Sequence, residues 1–159
     1  MAKIAFILLC HKDPDAIVAQ ARRLTGTGDY VAIHFDARAS ASHVQRIRDA
    51  LADNPNVVFA AKRVKCGWGA WSLVRATLNA VEAAETTFPD ATHFYMLSGD
   101  CMSVKSAAYA RRVLDAHDRD YIESFDFFTS DWIKTGFKEE RLIYRHFFNE
   151  RTQNWLFYR

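Results

Sequence analysis

Short apolar runs recur along this chain, each halted by small or polar residues and followed by a stretch of helical period. That alternation restricts the possible folds more than any other feature. Lys3 to Cys10 reads as a first strand, Tyr30 to Phe35 as a second, Val57 to Ala60 as a short third, and the run beginning at His93 as a fourth. Phe94 to Leu97 are aromatic and aliphatic, which predicts a buried strand. Between them, Ile17, Val18, Ala21 and Leu24 share one helical face, as do Val44, Ile47 and Leu51. Asp13 and Pro14 are placed as N-cap and first residue of the first helix, Gly26 and Gly28 close it, and Ser40 or Ser42 caps the second. A long helix from Ser72 to Phe88 is expected to bury Val74, Leu78, Val81 and Phe88. Ser103 or Ser106 caps a helix reaching His117, and a strand over Tyr121 to Phe125 follows. Asp126 to Lys138 reads as loop and Glu139 to Phe148 as a helix. Strands alternating with helices predict an α/β fold, a mostly parallel sheet with helices on both faces.

The composition supports one compact domain. Of 159 residues half are hydrophobic and a quarter charged, as in a globular chain. A formal net charge of +2 provides no electrostatic footprint for nucleic acid, so no nucleic-acid partner is expected. The longest apolar run, Ile4 to Cys10, is too short to span a bilayer and lacks a signal-peptide cleavage pattern. Three cysteines without CxxC spacing fit a reducing, cytoplasmic compartment. The aromatic-rich ending W-L-F-Y-R predicts that residues 1–159 are the first part of a longer protein.

In a parallel sheet the carboxyl ends of the strands share one edge, where ligands bind. Three such ends here are polar: Cys10-His11, His34-Phe35-Asp36 and Ser98-Gly99-Asp100. The last of these suits either an Asx-type turn or a ligand-facing carboxylate. The loop Gly67-Trp68-Gly69-Ala70-Trp71 can cover that edge. Trp68, flanked by glycines, suits a stacking platform for a base or sugar ring, whereas Trp71 reads as a hydrophobic anchor at a helix start.

Several chemistries are poorly served. Neither GxGxxG nor GxxxxGK[ST] follows any strand, so phosphates of a bound nucleotide would have to be met by Lys or Arg, with Lys12, Arg63 and Lys105 near the expected edge. Cys10, His11, Cys66 and Cys101 lack the paired spacing of a structural zinc site. Of the two Asp-x-Asp triplets, Asp13-Pro14-Asp15 is explained by a helix start and Asp118-Arg119-Asp120 falls at the opposite sheet edge. No metal site is therefore assigned. No Gly-x-Ser-x-Gly elbow is present, and Cys10 and His11, as strand neighbours, point to opposite faces.

The segments LLCHKDPD, AIHFDARAS, GWGAWSLVRATLNAV and FYMLSGDCMSVKS occur in the order found in one glycosyltransferase family. The chain resembles the core-2/I-branching β-1,6-N-acetylglucosaminyltransferases and the peptide O-xylosyltransferases, well over residues 4 to 110 and more loosely at Lys138 to Arg141. The resemblance implies a GT-A type, Rossmann-like fold, of which this chain would be the donor-binding part of an incomplete catalytic domain. It implies an inverting transfer of N-acetylglucosamine or xylose from a UDP-sugar to a carbohydrate or glycoprotein-like acceptor, without metal or other cofactor. By position it assigns Leu9 and Asp36 to the uracil, Trp68 to the nucleotide, and Ser98, Gly99 and Asp100 to the neighbourhood of the donor sugar. His11 and Arg63 join this nucleotide-sugar set as polar groups at the same edge. Lys138 and Arg141 match residues that hold the acceptor. The family's G-x-D-F/Y-P segment reads Gly99-Asp100-Cys101-Met102-Ser103 here, with the aspartate one position early and no proline. The family's catalytic glutamate and its diphosphate-binding Arg and Lys would lie beyond Arg159, so no catalytic residue is assigned. Any peripheral attachment to a membrane surface would likewise come through another part of the protein. A nucleotide- or sugar-binding α/β module without turnover is the alternative reading.

Overall fold

In a computed structural model of the chain, residues 1–117, 119–121, 126, 128–131 and 139 are described. Met1–Asp118 forms one compact unit and Arg119–Arg159 a second. The first unit runs β1 (Ile4–Cys10), α1 (Pro14–Thr25), β2 (Tyr30–Phe35), α2 (Ala41–Ala50), β3 (Val57–Phe59), α3 (Trp71–Thr87), β4 (His93–Ser98) and α4 (Ala107–Ala116). All described strand pairs are parallel, in the order β3-β2-β1-β4. The fold is thus the expected α/β arrangement of Rossmann-like topology. The chain winds outward from β1 to β3, then returns through α3 to place β4 on the other side of β1.

Period-two alternation divides the core between the two faces of the sheet. Ile4, Phe6, Leu8 and Cys10 of β1, with Val31, Ile33 and Phe35 of β2, pack with Ile17, Ala21 and Leu24 of α1 and Val44 and Ile47 of α2. Ala110 and Leu114 of α4 join that face from its margin. The opposite face belongs to α3: Ala5, Ile7, Tyr30 and Ala32 pack with Ala80, Ala84 and Phe88. Tyr30 and Phe88 stack with centroids 4.3 Å apart and planes 6° apart.

Three expectations about packing need correction. The buried stripe of α3 is Ala76, Ala80 and Ala84, whereas Val74 and Leu78 are exposed. Alanines at i, i+4 and i+8 let the helix axis approach the alanines of β1 and β2, so the larger residues are turned away; Val81 is partly buried and Phe88 buried, as expected. The fourth strand is not buried: Phe94, Tyr95 and Met96 are exposed. β4 ends the order of described strands, and α3 lies over β1, β2 and β3. Asp13 occupies the N-cap position of α1 in left-handed backbone (φ 49°) and makes no side-chain cap; its carbonyl instead accepts from Ile17 N at 3.1 Å. Ser40 does cap α2, accepting from Ser42 N, and Ser106 caps α4, accepting from Tyr109 N.

In the second unit, Asp126 closes a turn, its Oδ1 accepting from Phe128 N and its carbonyl from Ser130 N, each at 2.9 Å. Arg119 lies over the Tyr121 ring. The expected strand beyond Tyr121 and the expected helix after Glu139 fall outside the described residues. Among the described residues, no helix is long and apolar enough to cross a membrane.

The N-terminal edge of the sheet is held by buried charge. Asp29 is fully buried, and its carboxylate accepts from Arg111 Nε at 3.2 Å, Arg111 Nη2 at 2.7 Å, Thr27 Oγ1 at 3.1 Å and Ile4 N at 3.1 Å. Arg111 also donates to the Thr27 carbonyl. This fork ties α4 to the loop before β2 and to the start of β1. Removing one partner strands the other charge, so Arg111→Met is expected to destabilise the chain by about 3–5 kcal/mol, measured by urea unfolding. A loss below about 1 kcal/mol would place the pair in the class of weak surface ion pairs.

Candidate functional site

The carboxyl edge of the sheet gathers the sequence-predicted residues of the first unit. β1 and β4 are neighbours there although a long stretch of chain separates them, and the winding of the sheet reverses between them. Such a reversal opens a crevice between the two departing loops. Gly99 N donates to the Leu9 carbonyl at 2.8 Å, and Asp36 N to the Cys10 carbonyl at 2.8 Å, so β1 holds the ends of both neighbours. Leu9 lies one residue before the strand's end and is partly buried, while His11, one residue past it, is exposed.

Gly99 is required by space. A Cβ there would lie 2.7 Å from Ile17 Cδ1 and 2.9 Å from Cys10 Cβ. The β4 turn is therefore pressed against β1 and α1. Gln20 holds it from below, donating from Nε2 to the Cys101 carbonyl at 2.5 Å and to the Ser98 carbonyl at 3.5 Å. Ser98 Oγ accepts from Asp100 N at 3.2 Å and lies 3.3 Å from Cys101 Sγ. That contact, with the Ser98 backbone, holds the Cys101 thiol below its ordinary pKa. Asp100 is exposed, and its Oδ1 lies 3.2 Å from Lys12 Nζ across the β1–β4 crevice.

On the β2 side, Asp36 is only 6% exposed. Oδ1 accepts from Arg38 N at 2.8 Å and Arg38 Nε at 3.4 Å; Oδ2 accepts from Arg38 Nη2 at 3.1 Å and Cys66 N at 3.3 Å. Arg63 donates to the carbonyls of Phe35 (3.1 Å), Asp36 (2.7 Å) and Ala39 (3.1 Å). Its guanidinium thus braces the loop between β2 and α2. His34 is buried, and its Nε2 accepts from Val64 N at 2.9 Å. Together these groups fasten the segment following β3, and that segment leads to Trp68.

Trp68 is 85% exposed beside Gly69, whose backbone is left-handed (φ 65°). Trp71, expected as an anchor, is also exposed at 69%. It sits at the first turn of α3, on a helix whose buried stripe is made of alanine, and it points away from that stripe.

The first unit therefore brings Leu9, His11, Asp36, Arg63, Ser98, Gly99 and Asp100 to one edge, with Trp68 on a loop fastened to it. Lys138 and Arg141 lie outside the described residues. Sequence reading missed two positioning groups, Gln20 and Arg38, and, although it named Lys12 and Asp100, it missed their contact. A signal existed for both positioning groups. Gln20 falls on the apolar face of α1 between Ile17 and Leu24, and Asp36-Ala37-Arg38 has the spacing of an Asx turn closed by its own arginine. The cysteines do not converge. Burial pushes the Cys10 thiol up to about 12, and among the described residues no group of three or more His, Cys, Asp or Glu is placed to hold a metal ion.

A family model, Core-2/I-Branching enzyme, matches residues 4–154. No curated protein matches the chain.

The fastening of the Trp68 loop through His34 is expected to be pH-sensitive. Burial pushes its imidazole below the ordinary 6.5, the strongest of the influences on it. Protonating Nε2 would also set two donors against each other at Val64 N. The unfolded chain then binds a proton that the folded chain excludes, so stability rises with pH between the lowered folded value and about 6.5 and is level above it. Melting temperature is expected to hold steady from pH 8 to 7 and to fall towards pH 5. His34→Gln, which keeps an acceptor without titrating, is expected to flatten that fall. An unchanged slope in the variant would assign the pH dependence to other groups.

Proposed function

The chain belongs to the core-2/I-branching enzyme family, a family of glycosyltransferases, and from that premise we propose that its first unit holds the donor of a UDP-sugar-dependent, inverting transfer. The sugar is N-acetylglucosamine or xylose, and the acceptor is a hydroxyl of a carbohydrate or glycoprotein-like molecule. The observation that carries this reading is the pairing of β1 with β2 on one side and β4 on the other, which sets Asp36, Leu9 and the Ser98–Asp100 turn along one edge of the sheet.

Leu9 supplies an apolar wall for uracil, and Asp36 an acceptor for its imide N–H. The two longer contacts to Asp36, from Arg38 Nε and Cys66 N, are the ones such a donor would displace most readily. Trp68, exposed on its loop, is a platform that can lie against the base or the sugar. Asp100 and Ser98 face the sugar. A carboxylate takes the proton of the acceptor hydroxyl as its oxygen attacks the anomeric carbon. The bond from that carbon to the UDP oxygen breaks on the opposite side, with inversion. Basic side chains stabilise the departing UDP in place of a metal. We assign no base among the described residues.

Calorimetry with UDP tests this reading. Trp68→Ala is expected to cost about 1–3 kcal/mol of binding if the indole stacks on the base. Asp36→Asn is expected to weaken UDP by about tenfold, as loss of a charged acceptor should. Unchanged affinity in both variants would leave Trp68 as surface and Asp36 as the acceptor of a loop turn. Binding is further expected to persist in EDTA; loss on chelation with recovery on adding Mn²⁺ would make the site metal-dependent. Transfer to an acceptor panel, measured alongside, separates an enzyme from a module that binds without turnover.

A further inference from the structure

We propose that Lys12 is a contact for the donor's diphosphate and that Asp100 competes with that diphosphate for it, so that the Lys12–Asp100 pair sets how tightly UDP is held. The inference rests on the donor-site reading above and assigns within it a residue which the sequence match did not.

Three cations near the edge were candidates for meeting phosphate oxygens, and the structure separates them. Arg63 is turned inward onto three backbone carbonyls. Lys105 lies over the Tyr109 ring at the start of α4, 5.4 Å from its centroid. Lys12 stands two residues past the end of β1, on the β4 side, with its side chain half-exposed and its ammonium 3.2 Å from Asp100 Oδ1.

The two partners differ in freedom. Asp100 sits on a turn clamped by Gly99 against Cys10 and Ile17, by the Gly99 N to Leu9 carbonyl bond, and by Gln20 from below. Lys12 carries its charge on a flexible four-carbon stem. An anion entering the crevice can therefore draw the ammonium away while the carboxylate stays in place. Two other carboxylates lie in sequence near Lys12. Asp15 is engaged by Arg46 at 2.7 Å, and Asp13 sits in left-handed backbone beside Lys12. Asp100 is the carboxylate that Lys12 contacts, and a half-exposed pair of this kind is weak enough to exchange.

The exchange has a consequence for selectivity. When the diphosphate takes Lys12, Asp100 is released to accept a hydrogen bond from a hydroxyl of the attached sugar. UDP without a sugar offers no such hydroxyl, so it must compete with Asp100 for Lys12 and gains nothing in return. The pair thus favours the donor over the spent nucleotide.

The test compares uridine, UDP and a UDP-sugar on the wild-type chain, Lys12→Gln and Asp100→Asn, with binding followed by amide NMR shifts and calorimetry and folding checked by melting temperature. Lys12→Gln is expected to weaken UDP by about three- to tenfold and leave uridine unchanged. Asp100→Asn is expected to tighten UDP by about two- to fivefold, the range of an exposed ion pair, while weakening the UDP-sugar relative to UDP. UDP affinity unchanged in Lys12→Gln, or weakened in Asp100→Asn, would overturn the proposal while leaving the donor site standing. Failure of the wild-type chain to bind uridine, UDP or the UDP-sugar would overturn the donor-site reading and this one with it.

Discussion

Every described element of the first unit is placed by the parallel pairing of β1 with both of its neighbours. β1 is bonded to β2 over Ala5 to Cys10 and to β4 over Ile4 to Leu9, and it is buried along almost its whole length. Parallel strands need a crossover to join them, and the crossovers here supply the helices that cover both faces. The same pairing continues past the strand ends, where Cys10 and Leu9 carbonyls accept from Asp36 and Gly99. The sheet and the crevice are therefore one hydrogen-bonded object. A side chain at Gly99 would push β4 away from β1 and open the crevice at its root.

Charge is distributed to keep the two edges of the sheet distinct. At the N-terminal edge carboxylates are matched closely: Asp29 by Arg111, and Asp90 by Lys3 and Tyr30, with Lys3 Nζ 2.6 Å from Asp90. These hydrogen bonds pull the Asp90 carboxyl below its ordinary value and push the Lys3 ammonium above it. At the carboxyl edge the polar groups are of two kinds. His34, Asp36 and Arg63 are inward and loop-fastening, whereas His11, Lys12, Ser98 and Asp100 remain open to solvent. That division is what a binding edge requires, with rigid support beneath and exchangeable groups above.

The sequence conveyed the alternation of strands and helices, and with it a parallel sheet, because each strand has its own apolar run and each helix its own period; the strand order came only with the structure. It conveyed the shared edge because polar residues follow the strands Ile4–Cys10, Tyr30–Phe35 and His93–Ser98 directly. It did not convey which face of α3 is buried. Apolar periodicity weights Val74 and Leu78 over alanine, yet close helix–sheet packing against Ala5 and Ala32 selects Ala80 and Ala84. Nor did it convey the exposure of β4, which ends the order of described strands, since an outer strand and a central strand can share an apolar composition. For the candidate site, residue types were legible but their partners were not. Arg63 looked like a phosphate ligand from its charge, and only the folded geometry reveals the three carbonyls around it. Gly99 looked like a turn residue, whereas the close approach of Cys10 and Ile17 is its reason.

The crevice between β1 and β4 is the proposed seat of the nucleotide of a sugar donor. A rival location exists on the same unit: a groove of about 300 Å³ between β3 and α3, lined in part by Val58, Phe59, Asn79 and Glu82. Backbone amide shifts of the whole chain, recorded on titration with UDP-N-acetylglucosamine and with UDP-xylose, distinguish the two directly. With the nucleotide at the proposed site, the largest changes are expected at Leu9 to Lys12, Asp36 to Arg38, Cys66 to Gly69 and Ser98 to Cys101. Changes confined to Val58, Phe59 and the Asn79–Glu82 turn of α3, with the crevice residues unmoved, would contradict it.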